Sequence, residues 1–118
     1  MLVLTPIVNK ETGMVFCEVR RTAYNGDSDA LRKEIGCEWL EAVHIGRGLD
    51  LWLDECGKLE TPKPYNYMAT RLYGRDMIVG TACVLSHDGE GNEVDLTDED
   101  EKVVLGWLGV DEDFVKTA

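Results

Sequence analysis

The sequence lacks the features that most readily announce a function. No apolar run reaches the eighteen or so residues that a membrane-spanning helix requires. The longest, Met77 to Leu85, is interrupted by Gly80 and Thr81. The opening Met1-Leu2-Val3-Leu4-Thr5-Pro6 has neither a basic stretch nor a small-residue cleavage site. It reads as a first strand, and the chain is expected in the cytoplasm. Ser28 and Ser86 are the only serines, and neither sits in a Gly-x-Ser-x-Gly elbow. Cys17, Cys37, Cys56 and Cys83 are scattered without a CxxC pair, which excludes a zinc knuckle and a thioredoxin-type motif. Without a secretion signal they are expected as reduced thiols packed like small hydrophobes.

Basic charge is also scarce. Twelve Lys and Arg face 23 Asp and Glu, a net charge of −11 that argues against general duplex nucleic-acid binding, because such binding rests on neutralising phosphates. The imbalance is local. Residues 20–75 hold nine bases and nine acids, whereas residues 76–118 hold twelve acids and only Lys102 and Lys116 as bases. The excess negative charge therefore belongs to the C-terminal third.

What is present is an ordinary globular composition, 44% hydrophobic and 30% charged over 118 residues. That is enough for one domain, 1–118, with its own core. Leu2–Val8 and Met14–Arg20 read as strands joined by a polar stretch ending in Gly13. Asp27 or Ser28 can cap a short helix carrying Leu31 and Ile35, closed by Gly36. Trp39–Ile45 and Leu49–Asp54 form a second strand pair around the turn Gly46-Arg47-Gly48, with Leu49, Leu51 and Leu53 facing inward and Trp52 outward. Glu55 to Lys58 turns the chain, and Pro62 and Pro64 keep the next segment extended or looped. Asn66 is placed to cap a helix burying Ala69, Leu72 and Tyr73 and ending at Gly74. Met77–Leu85 is apolar on both parities and reads as a central strand covered on both faces, with Val79 in the core. Thr97-Asp98-Glu99-Asp100 opens a last helix with Val104, Trp107 and Leu108 on one face, and Lys116 to Ala118 reads as a frayed end. The expected class is α+β: five or six mostly antiparallel strands with two or three short helices.

Few constellations carry chemistry. Asp88 to Asp95 offers alternating oxygen ligands, with Glu99 eleven residues after Asp88, but Glu93 stands where a calcium loop needs Gly, so a hairpin turn is expected and no metal. Cys83 and His87 have a two-ligand spacing that lacks two further ligands, and His44 reads as a lone imidazole on a strand. Gly46-Arg47-Gly48 lacks the third Gly and the helix of a dinucleotide fingerprint. No cofactor and no catalytic residue is expected. The candidate ligand surface is polar and aromatic: Arg47, Trp52, Tyr65, Asn66, Tyr67, Thr70, Arg71 and Arg75, since aromatics beside arginines suit planar or phosphorylated ligands.

The order Leu31-Arg32-Lys33-Glu34-Ile35-Gly36-Cys37, Gly48 to Glu55 with Gly57, Asn66 to Leu72, and Ile78-Val79-Gly80-Thr81 resembles a family of small uncharacterised domains of bacteriophages, mobile elements and bacteria. The resemblance runs from about Leu31 to the helix after Thr97. It implies a short accessory protein acting in a host cytoplasm. The leading expectation is a non-enzymatic protein that sequesters a small phosphorylated, nucleotide-type host signal, across a homo-oligomer interface. The alternatives are an acidic inhibitor of a host protein, acting through the eight acids among residues 88–101, and a small enzyme whose site forms only in three dimensions. No membrane and no duplex nucleic acid is expected as partner.

Overall fold

The computed structural model describes residues 1–56 and 63–117. The expected loop around Pro62 and the turn residues Gly57 and Lys58 lie outside the described residues, as does Ala118. The chain order is β1 (Leu2–Val8), β2 (Val15–Arg21), α1 (Ser28–Ile35), β3 (Leu40–Gly46), β4 (Leu49–Asp54), α2 (Tyr67–Tyr73), β5 (Ala82–His87), β6 (Glu93–Val94), α3 (Asp98–Leu108) and β7 (Val115–Thr117), the last preceded by a single 3₁₀ turn. The class is α+β, as expected: one seven-stranded sheet in the order β3-β4-β5-β1-β2-β7, with β6 also paired to β5. All pairings are antiparallel except β2 with β7, which is parallel.

Helices cover both faces of this sheet. On one face α2 and α3 bury Leu2, Leu4, Val19, Leu49, Leu51, Ala82 and Val84 beneath Met68, Leu72, Val104, Leu105 and Leu108. On the other, α1 lays Leu31 and Ile35 over Met1, Val3, Cys83 and Leu85. Burial of both parities of Ala82–Leu85 makes β5 the central strand, flanked by β4 and β1.

The caps form as their residues dictate. The Asp27 side chain accepts from the Asp29 N–H, Asn66 from Ala69 and Thr97 from Asp100, and left-handed Gly36, Gly74 and Gly109 close the three helices. Asn66 does more than cap. Fully buried, it donates through Nδ2 to the carbonyls of Leu4 (3.0 Å) and Gly80 (2.9 Å), while Oδ1 also accepts from the Cys17 thiol. One side chain thus ties β1, β2, α2 and the entry to β5 together.

Four expectations are corrected. The central strand starts at Ala82, not Met77, because Gly80 turns left-handed (φ 76°) and the Thr70 hydroxyl accepts the Ile78 N–H at 2.9 Å. Met77 is exposed and Val79 only half-buried, bridged to Tyr65. Trp107 lies on the outer side of α3 and Leu105 takes the inward position, the apolar stripe being one residue away from the expected one. The tail is not frayed at Lys116 and Thr117, which extend β7 along β2 from Val115. Trp39 precedes β3 and is two-thirds exposed.

Three substitutions separate these roles. Val84→Asp should abolish cooperative unfolding, since an unpaired buried carboxylate costs several kcal/mol, comparable to the whole stability of such a domain. Val79→Asp should cost only about 1 kcal/mol. Asn66→Ala should cost on the order of 3 kcal/mol, because it removes a cap and strands buried carbonyls. Thermal and urea unfolding of the three variants measures each effect.

Candidate functional site

The helix α1 is short, eight residues or about 12 Å, and it covers only part of its face of the sheet. The part left open lies at the β3-β4-β5-β6 end, and the pleat decides what occupies it. Side chains directly opposite in antiparallel strands share a face. His44 pairs with Asp50, Ala42 with Trp52, Trp52 with Cys83, Asp50 with Leu85, and His87 with Glu93. That register puts His44, Asp50, Trp52, His87 and Glu93 on the α1 side together. With Ala42 and Gly91 they line a pocket of about 400 Å³.

Local sequence sets this geometry. Arg47 and Gly48, both at positive φ, close the β3–β4 turn, the pattern of a tight hairpin connection. A bulge between His44 and Gly46 shifts the register there, and bulges re-aim the side chains beside them. The β5–β6 turn is held by Asp88, whose side chain accepts from the Glu90 and Asn92 N–H groups, both at 2.9 Å. The expected hairpin is therefore present.

The centre of the pocket is a buried carboxylate between two imidazoles. Asp50 is 3% exposed. Its Oδ2 lies 2.8 Å from Nδ1 of His87, in hydrogen-bond geometry. Oδ1 lies 2.5 Å from Nδ1 of His44, but that approach lacks hydrogen-bond geometry. Among the described residues Oδ1 is left buried without a hydrogen bond, an unusual condition for a native polar atom. The imidazoles meet edge to face with centroids 5.4 Å apart. Glu93 accepts from the Trp52 indole N–H at 3.0 Å. Burial raises its pKa, and the neighbouring Asp50 charge raises it further. Asp50 raises the His87 pKa through its hydrogen bond and its charge.

The expected arginine–aromatic surface is not one surface. Trp52 lies in this pocket, on the face opposite α2. Arg47 is engaged by α3, 3.0 Å from Glu99 and 3.6 Å from Asp100. Asn66 is buried, and the Thr70 hydroxyl is spent on Ile78. What remains exposed around α2 is Tyr65, Tyr67, Arg71 and Arg75, with Tyr67 and Arg71 one helical turn apart. A second pocket of about 360 Å³ between β3, β4 and the α2–β5 connection includes Asp54, already bonded to Lys63 at 2.5 Å and to the Cys56 N–H.

The histidines escaped sequence reading as a pair because 43 positions separate them. A regular two-residue turn at Arg47-Gly48 would set Ile45 opposite Asp50; it is the bulge before Gly46 that brings His44 there instead.

Comparison with known proteins agrees with the resemblance in part. Residues 7–108 match the family described as a domain of unknown function, DUF3846. This chain belongs to it. No curated protein matches the chain, and no solved structure does. Among the described residues no helix is long and apolar enough to cross a membrane.

The raised pKa of His87 carries a sign. Its protonated form is the one Asp50 favours, so this contribution to stability is fully present below the ordinary histidine value of about 6.5 and is lost as pH rises through the higher folded value. An NMR titration of the His87 ring should give a midpoint above that of an unfolded histidine, and Asp50→Asn should bring it down.

Proposed function

We propose that this domain is a non-enzymatic binding module whose seat is the pocket around Asp50, and that its ligand is small and electropositive. The observation that carries this reading is the Asp50 carboxylate: buried, one oxygen without a hydrogen bond, and facing an open pocket that holds a second carboxylate, Glu93. Among the described residues that line the pocket there is no Lys or Arg, and the basic groups there are the imidazoles of His44 and His87. Negative charge in a partly desolvated site seeks a positive partner, and the Trp52 ring adds a surface that attracts cations. The same lining holds no Ser, Thr, Cys or Lys to act as a nucleophile beside the histidines, which favours binding over covalent catalysis.

In the bacteriophage or mobile-element setting that the resemblance implied, such a module would sequester a molecule made by the host. The reading of a phosphorylated, nucleotide-type signal rests on the exposed Tyr67 and Arg71 of α2, with Arg75 beyond its end. The reading of an acidic docking face is weakened by internal pairing: Glu101 bonds Arg21, Glu99 and Asp100 face Arg47, and Asp95 accepts the Tyr24 N–H.

A calorimetric screen of the full chain separates these. Small ammonium compounds such as putrescine and tetramethylammonium should bind, with affinity falling at least tenfold in Asp50→Asn. Cyclic nucleotides and ADP-ribose should not. Nucleotide binding that survives Asp50→Asn and disappears in Arg71→Ala would move the site to α2 and overturn the proposal.

A further inference from the structure

Resting on that reading of the pocket, we infer that His44, Asp50 and His87 form a binding site for a divalent transition-metal ion, with Zn²⁺ the natural occupant. One ligand atom from each residue lies within 4.8 Å of the other two. Ligands about 2.0–2.2 Å from a single tetrahedral ion stand about 3.3–3.6 Å apart. The imidazole–carboxylate contacts, 2.5 Å from His44 Nδ1 to Asp50 Oδ1 and 2.8 Å from His87 Nδ1 to Oδ2, are closer than two ligands of one ion stand. An entering ion therefore replaces these contacts, and His44, whose side chain is 79% exposed, has the most room to adjust. Asp50, buried as the second residue of β4, is the fixed member, and His87, hydrogen-bonded to it through Nδ1, ligates by giving up that bond or through Nε2.

Donor chemistry selects the class of ion. Two imidazoles and one carboxylate suit zinc and its neighbours, whereas Mg²⁺ and Ca²⁺ take oxygen ligands almost exclusively. A cation here meets Asp50 Oδ1, which among the described residues makes no hydrogen bond and is approached by His44 Nδ1, itself a member of the set. Three protein ligands leave a fourth position, which faces the pocket lined by Trp52, Gly91 and Glu93. That is the arrangement of a site where an exchangeable small molecule joins the metal, rather than of a closed structural centre. Glu93, hydrogen-bonded to Trp52, is placed to fix the orientation of that molecule.

Chelator-treated full chain titrated with Co²⁺ and monitored by visible absorption tests this, with Zn²⁺ calorimetry alongside. The expected result is one ion per chain, ligand-field bands of a nitrogen–oxygen site, and no thiolate charge-transfer band. Mg²⁺ should not compete. Asp50→Asn and His87→Gln should each weaken Zn²⁺ binding by about 100-fold or more. His44→Gln alters an exposed side chain and leaves the fold intact, so its comparable loss separates ligation from unfolding. Absence of binding, thiolate bands, or indifference to His44→Gln would overturn the inference. If ammonium ligands still bind in an Asp50-dependent way while no metal does, the metal site fails and the pocket reading stands. If neither binds, both fail.

Discussion

The rest of this structure depends on the need to cover β5 from both sides. Ala82 to Leu85 is apolar on both parities, so the strand is stable only between two layers, and three short helices supply them. On one face α2 and α3 together span the sheet. On the other, the eight residues of α1 cover Met1, Val3, Cys83 and Leu85, with Leu40 and Trp52 packed at the edge of that cluster. Beside that layer the same strands carry exposed His44, half-buried Trp52 and His87, and buried Asp50. The pocket is thus the uncovered remainder of a sheet face, and its floor is the sheet itself. Binding groups on such a floor are held more firmly than groups on loops.

Anchoring of that floor comes from the opposite side. Asn66 satisfies carbonyls on β1 and on the approach to β5 while starting α2. A buried amide with all its hydrogen bonds made specifies one arrangement of the elements around it. It fixes how β5 enters the sheet, and so the register that sets Leu85 opposite Asp50 and His87 diagonal to it. Asp50 presents a different condition, a buried carboxylate one of whose oxygens makes no hydrogen bond among the described residues. Polar atoms of the first kind hold a fold together, and those of the second kind ask for something from outside.

The charge of the chain divides in the same way. Much of the acidic C-terminal third is absorbed internally: Asp88 holds a turn, Asp95 takes a backbone N–H, and Glu101 pairs with Arg21. Acids in the first turn of α3 also oppose its helix dipole favourably. In the pocket Asp50 and Glu93 lie near each other and, among the described lining residues, only His44 and His87 answer their charge. Net charge described the chain, but only position distinguishes charge used for folding from charge left for a ligand.

Local chemistry alone determined a good deal of this protein: the helix ends at Asp27, Asn66, Thr97 and their closing glycines, the two hairpins, the inward Leu49 and Leu51, and the α+β class. These come from neighbours a few residues apart, where backbone geometry and side-chain parity leave few choices. Trp52, by contrast, expected outside, is half-buried against the core on the α1 side. The start of β5 at Ala82 was decided by a left-handed Gly80 and by Thr70, eight residues before the N–H it bonds. The pairing of β7 with β2 joins residues almost a hundred positions apart. The meeting of His44, Asp50 and His87 depends on β4 and β5 being neighbours in one particular register, and on α1 being too short to cover them. Each strand displays its histidine or carboxylate as an isolated polar residue. Only the tertiary structure makes them one site, because strand order and register arise from burial of the whole sheet and not from any segment of it.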